Sequence, residues 1–187
     1  VMKMYKELTK NFVLMDENEV IKATDQAMTK FSWLRELCSG FANKKLIDQS
    51  KFDLLMELLQ GELKNESVII WCDYTQEIEA ISKRLTKQNI LHGVITGSIP
   101  HTDRDNVVNY FQNGLIKIVV CQHRCLKFGT TLNKADTTIF ISTPLYYENR
   151  AQAEDRMVNA YKDEVNLVID LTAEKTIEME IVPAVKN

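Results

Sequence analysis

Apolar and polar positions change their period several times along this chain. In residues 1–50, Met2, Tyr5, Leu8 and Phe12, then Ala27, Phe31, Leu34 and Leu37, recur near helical spacing. This predicts two helices joined by a polar segment over 15–22, the second ended by Ser39-Gly40. From Lys51 onward, helix and strand patterns alternate. Residues 52–59 read as a helix stopped near Gly61, and Ser67-Val-Ile-Ile-Trp-Cys is the short continuous apolar run of a strand buried on both faces. Further strands are expected over 91–95, 117–121, 137–142 and 165–171, with helices over 75–87, 102–112, 150–161 and 173–182. Thr75 and Thr102 are the expected N-caps of the second and third of these helices.

This alternation specifies an α/β fold over residues 51–187, a mostly parallel sheet with helices on both faces, preceded by a helical brace over residues 1–50. Ligands of such sheets bind at the carboxyl ends of the strands. Polar residues and glycine gather there: Asp73-Tyr74-Thr75, Thr96-Gly97-Ser98, Gln122-His123-Arg124 and Ser142-Thr143-Pro144. Helix capping accounts for part of this enrichment, and loop-built binding for the rest.

Composition narrows the function classes. A net charge of −3 provides no global field for a polyanion, so nucleic-acid contact would rest on backbone amides and a few basic residues inside a cleft. The apolar runs are too short to span a bilayer, no signal-peptide pattern is present, and the four cysteines form no CxxC pair, so the expectation is an intracellular protein with reduced thiols and no membrane partner. Cys121, His123 and Cys125 lack a fourth ligand and the usual spacing, and no metal site is expected. The sequence contains neither G-x-x-x-x-G-K-[ST] nor G-x-G-x-x-G, hence no glycine-rich cradle of amides to seat a nucleoside triphosphate unaided. It also has no nucleophile elbow and no nucleophile or general-base pair, which argues against a small-molecule α/β enzyme on the same edge.

An ordered series of segments then carries a resemblance. Lys51-Phe-Asp-Leu-Leu, Val68-Ile-Ile-Trp-Cys-Asp-Tyr-Thr, and Leu91-His-Gly-Val-Ile-Thr-Gly97-Ser98 with Arg104 and Phe111-Gln-Asn-Gly114 resemble the opening of the C-terminal RecA-like lobe of Swi/Snf-like superfamily-two helicases. Gly129-Thr-Thr-Leu132-Asn133-Lys-Ala135-Asp136 looks like their motif V, and Gln152-Ala-Glu-Asp-Arg156 is similar to the start of motif VI. Leu34-Arg-Glu-Leu-Cys-Ser-Gly-Phe41 resembles the helical segment that precedes this lobe.

The resemblance implies a lobe that closes against an N-terminal RecA-like lobe of the same polypeptide, with ATP and Mg2+ held mainly by that other lobe and DNA across the strand ends. It implies catalytic roles for Arg156 and Gln152 and cofactor contacts at Gly129, Asn133 and Asn159. It implies nucleic-acid contacts at Thr96, Gly97, Arg104, Gln122, His123 and Thr130. Two departures stand out: Asn159 occupies the place of the second motif VI arginine, and Thr131 that of a second motif V glycine. Asparagine brings no charge to a transition state, so a second reading is a lobe that has lost turnover and binds nucleic acid or protein. By the same resemblance the protein is expected in a bacterial or phage-infected cytoplasm, or in a nucleus if eukaryotic.

Overall fold

The computed structural model describes residues 1–11, 13–16, 19–23, 26–125, 130–158 and 166–186. In chain order its elements are α1 (Met2–Asn11), β1 (Val13–Asp16), β2 (Glu19–Ala23), α2 (Ala27–Cys38), β3 (Phe41–Ala42), β4 (Lys45–Leu46), α3 (Ser50–Gln60) and β5 (Val68–Cys72). There follow α4 (Thr75–Lys87), β6 (His92–Ile95), α5 (His101–Gln112), β7 (Ile118–Gln122), β8 (Thr137–Phe140), α6 (Tyr147–Asp155), β9 (Leu167–Asp170) and α7 (Glu178–Lys186).

Five strands form one sheet in the order β6-β7-β5-β8-β9, every neighbouring pair parallel. The unbroken apolar run of β5 has its reason here: all five residues are buried because both faces are covered. Successive side chains point to opposite faces. Val68, Ile70 and Cys72 meet Phe52, Leu55 and Leu59 of α3 and Ile78, Ile81 and Leu85 of α4. Ile69 and Trp71 meet Phe111 of α5, Ala153 of α6 and Leu132 on the other side. Gly93 is needed because a Cβ there would lie 2.4 Å from Val107 Cγ1 of α5.

The N-terminal segment differs from its expectation in holding two short hairpins beside its helices, one of them β3 paired with β4. The two helices are present, but between them β1 and β2 pair as an antiparallel hairpin where a polar linker was expected. Tyr5 and Leu8 of α1 and Leu34 and Leu37 of α2 share a small core with Ile177, whose amide donates to Tyr5 Oη at 2.8 Å. Gly40, at φ +84°, ends α2, and any side chain there would meet the Asp48 carbonyl at 2.5 Å.

The expected caps also shift. Tyr74 and Pro100 hold the N-cap positions of α4 and α5, which makes Thr75 a first-turn residue and moves Thr102 inside its helix. Helix α6 starts three residues earlier than the 150–161 pattern and ends at Asp155, and α7 starts at Glu178 after a turned segment.

One buried ion pair locks the far side of the sheet. Arg150 of α6 donates to both oxygens of Asp170 at the end of β9 (2.5 and 3.1 Å) and to Glu154 at 2.5 Å, while its guanidinium lies 3.6 Å from the Phe140 ring centroid. Asp170 also pairs with Lys186 of α7 at 2.6 Å. Burial raises the Asp170 carboxyl pKa, but the hydrogen bonds and charges of Arg150 and Lys186 outweigh it and hold the group below its ordinary value. The stability it contributes is present above the ordinary carboxylate pKa of about 4 and is lost as pH falls through the folded-state value. Urea unfolding should show Arg150→Ala costing about 3–5 kcal/mol at neutral pH, with that cost shrinking in acid as Asp170 protonates. A loss below 1 kcal/mol would contradict the lock.

Candidate nucleotide and nucleic-acid edge

The connection from β5 leaves toward β6 through α4, and the connection from β8 leaves toward β9 through α6. The two neighbouring strands β5 and β8 therefore send the chain in opposite directions, which opens a crevice between their carboxyl ends. That crevice is built from backbone amides and one buried carboxylate. The Asp73 amide donates to Ser142 Oγ at 2.7 Å and to Glu77 Oε2 at 3.1 Å; the Tyr74 amide donates to the same oxygen at 3.1 Å, and Ser142 Oγ donates to it at 2.8 Å. Glu77 is fully buried, and burial raises its pKa against the opposing hydrogen bonds of Tyr74 and Ser142 and the charge of Lys51. This one carboxyl both caps α4 and ties the end of β5 to the end of β8.

Arg35 of α2 reaches into the crevice from the N-terminal segment. It donates to Asp73 Oδ2 and, at 2.7 Å, to the Thr143 carbonyl, and its guanidinium lies 5.9 Å from the Tyr74 ring centroid. No spacing in the sequence announces this contact, because 38 residues separate Arg35 from Asp73.

Toward β6 the loops are held together by Gln122 and Arg104. Gln122 Oε1 accepts from the Gly97 amide (3.4 Å) and from Cys125 Sγ (3.2 Å), and its Nε2 donates to the Asp73 carbonyl (3.3 Å). Three strand ends thus share one amide side chain. Thr96 Oγ1 and Ser98 Oγ are 2.9 Å apart, so one hydroxyl proton of the pair remains for a ligand.

Two expected contact residues have other duties. Arg104 donates to three carbonyls, Ile99 at 2.7 Å, Cys125 at 2.9 Å and Gly97 at 2.9 Å, so it is a staple for the loops and not a free guanidinium for phosphate. His123 has a side chain only 1% exposed, stacked on Trp71 (5.6 Å, 10°) and Phe140 (5.7 Å, 15°). Its Nε2 lies 2.9 Å from the Ser142 carbonyl, which can only accept, so this nitrogen carries the proton. Burial lowers the imidazole pKa against the opposing charge of Asp73, and the neutral ring belongs to the core. His123 can offer a ligand its backbone but not its ring.

On the other side, Arg156 caps the C-terminal end of α6, half-buried, and its Nη1 donates to the Thr130 carbonyl at 2.8 Å. The Leu132 amide returns a bond to the Arg156 carbonyl at 2.8 Å. The loop before β8 and the end of α6 are therefore joined through Arg156 itself. Its neighbour Glu154 is held by Arg150. Gln152 is exposed on α6. Asn133 lies apart from this edge: its Oδ1 accepts from Gln112, the last residue of α5, at 2.8 Å, near the amino ends of the strands. Gly129 and Asn159 lie outside the described residues.

Comparison with known proteins agrees with this architecture. A family model described as the helicase conserved C-terminal domain matches residues 50–160. A helicase of Acanthamoeba polyphaga mimivirus is 26% identical over 117 residues, which are 61% of this chain and 13% of that protein. A Homo sapiens protein named as the ATP-dependent RNA helicase DDX46 is 27% identical over 115 residues, 60% of this chain and 11% of its own length. The chain thus spans only a small part of the curated relatives it matches. Among solved structures, the C-terminal part of the Fun30 ATPase domain matches with a TM-score of 0.65 at 24% identity, covering 84% of this chain and 55% of that one, a likeness of fold.

Arg104→Lys tests the staple. A single ammonium cannot serve three carbonyls in a fixed fork, so hydrogen exchange of the amides in 97–99 and 123–125 should speed up about tenfold, with exchange in β5 unchanged. Unaltered exchange in these loops would show that Arg104 does not hold them.

Proposed function

The chain belongs to the helicase conserved C-terminal domain family, and we propose that it is the C-terminal motor lobe of an ATP-dependent DNA translocase or helicase of the Swi/Snf type. Residues 51–187 form the lobe and residues 1–50 its brace. The observation that carries the reading is the Arg156–Thr130 link, which couples the loop expected beside nucleic acid to the one cation expected beside the γ-phosphate.

In this account, closure of an N-terminal lobe of the same polypeptide brings a bound ATP against α6. Arg156 gives up or shares its bond to the Thr130 carbonyl and donates to the γ-phosphate oxygens, where a trans-acting arginine is worth about 10³–10⁵ in turnover. Gln152, one turn earlier, faces the same cleft. Nucleotide contacts are assigned to Gly129 and Asn159 by the motif resemblance, while Asn133 acts from below by setting the loop through Gln112. Thr96, Gly97, Gln122 and Thr130 meet the strand backbone through amides and hydroxyls, Arg104 holds those loops in place, and His123 adds only its main chain.

The carboxylates of this edge fit the assignment of Mg2+ to the other lobe. The charge of Asp73 is offset by Arg35 and Glu77 is sealed in the core, so this edge offers a cation no pair of uncompensated carboxylates. When bound there, the metal neutralises charge on the β- and γ-phosphates. The isolated lobe is inactive. The protein works where its nucleic acid is, in a bacterial or phage-infected cytoplasm or in a eukaryotic nucleus.

RNA is the second reading of the substrate, favoured by the human relative whose name is that of an RNA helicase. Both readings meet one experiment on the two-lobe protein. ATP hydrolysis should be stimulated by DNA more than by RNA, and Arg156→Ala should lower kcat about 10³-fold while leaving strand affinity within a few-fold. Stimulation by RNA alone would replace the DNA assignment. Unchanged turnover in Arg156→Ala would remove the arginine from the chemistry. A wild type that binds DNA but hydrolyses no ATP would make the lobe a binding module.

A further inference from the structure

A groove of about 660 Å³ runs between α4 and the edge strand β6, outside the contacts assigned above except at its upper end. Its wall on the helix side follows from helical spacing. Thr75, Glu79, Ser82, Lys83, Thr86 and Lys87 fall at i, i+4, i+7, i+8, i+11 and i+12, which puts them on one face of α4, with Ile78 at the base of the groove and Ile81 and Leu85 turned toward the core. The opposite wall is Val94, Thr96, Ser98 and Ile99. The groove therefore begins at the strand-end loop that carries Thr96 and Ser98 and descends along the helix to Lys87. From Thr75 to Lys87 the helix rises about 18 Å at 1.5 Å per residue.

Its floor is apolar, from Ile78, Val94 and Ile99, and its rim carries the charges and hydroxyls that a phosphodiester backbone would meet. Lys83 and Lys87 stand one turn apart and are exposed, and among the described residues neither makes an ion pair or a hydrogen bond. Glu79 is the single carboxylate on the lining, so the groove is net positive on a chain whose total charge is −3. Thr75 and Thr86 add exposed hydroxyls. Ser82 does not add one. His92 Nδ1 lies 2.9 Å from the Ile90 carbonyl and must donate to it, so Nε2 accepts the Ser82 proton at 2.8 Å. Strand β6 has β7 on one side only, and this open edge leaves room for an extended chain beside the helix.

We propose that the α4–β6 groove is an extension of the nucleic-acid path: a single strand leaving the Thr96–Ser98 loop continues along α4 with its phosphates on Lys83 and Lys87. The proposal rests on the reading of the strand ends as a nucleic-acid edge and adds a second, purely electrostatic stretch to it. Contacts of this kind hold the strand without reading its bases, which suits a lobe that moves along it.

The test uses the two-lobe protein and two DNA strands, one of about 6 nucleotides that covers only the strand ends and one of about 16 that can reach down the groove. Lys83→Gln with Lys87→Gln should weaken the longer strand roughly tenfold and lower the steepness of its salt dependence by about 1 to 2, with the shorter strand unaffected. Glu79→Gln should strengthen the longer strand alone. Equal effects on both strands, or none on either, would overturn the groove assignment, as would Glu79→Gln weakening the longer strand. A wild type that binds neither strand would overturn the nucleic-acid edge itself, an outcome distinguishable from failure of the groove alone.

Discussion

Strand β5 is the constraint on which the rest of the molecule depends. It is paired on both sides, by β7 and β8, and buried on both faces, so its five residues have no freedom to shift register without moving every helix that covers them. Its carboxyl end is consequently a fixed point. The Asp73 amide, the Asp73 carbonyl and the Tyr74 amide leave that end in set directions and are taken by Ser142, Gln122 and Glu77. Through these partners the ends of β6, β7 and β8 are positioned relative to one another by side chains that are themselves buried or half-buried. A rigid strand thus passes its order to four loops, which would otherwise sample many conformations.

The same fixed point explains which polar residues face a ligand and which do not. Charge at the edge is mostly committed: Arg35 to Asp73, Arg104 to three carbonyls, Arg150 to Asp170. The edge also presents main-chain amides, a few hydroxyls and the exposed Arg124, a set suited to a phosphate-bearing backbone. The departure at Asn159 sharpens the importance of Arg156, because no second arginine follows it in the motif. Arg156 is itself engaged with the Thr130 carbonyl, so its use by a ligand would require that bond to be given up or shared.

Much of this was legible in the sequence. Alternating periods gave each strand of the sheet to within a few residues, since continuous runs such as Val68–Cys72 have no other good home than a doubly covered strand. The clustering of Thr96, Gly97 and Gln122 at strand ends followed from the same order. Long-range side-chain choices were not legible. Nothing local distinguishes an arginine that binds phosphate from Arg104, which turns back onto Gly97, Ile99 and Cys125, nor a surface histidine from His123, which packs against both Trp71 and Phe140. The hairpin of β1 and β2 was hidden because the polar run Asp16-Glu17-Asn18-Glu19 between its short apolar stretches reads as a linker, and the Arg35 contact because it spans two parts of the chain with different patterns.

The central claim is that the carboxyl edge is where this lobe meets a partner lobe, nucleotide and strand at once. Hydrogen exchange of the two-lobe protein, with and without a nonhydrolysable ATP analogue and a DNA strand, tests it most directly. The account predicts slowed exchange in segments 73–77, 96–99, 122–125, 130–132 and 152–157, with the amino-end segments 113–117 and 133–136 unchanged. Protection at the amino ends instead, or none at the carboxyl edge, would contradict it.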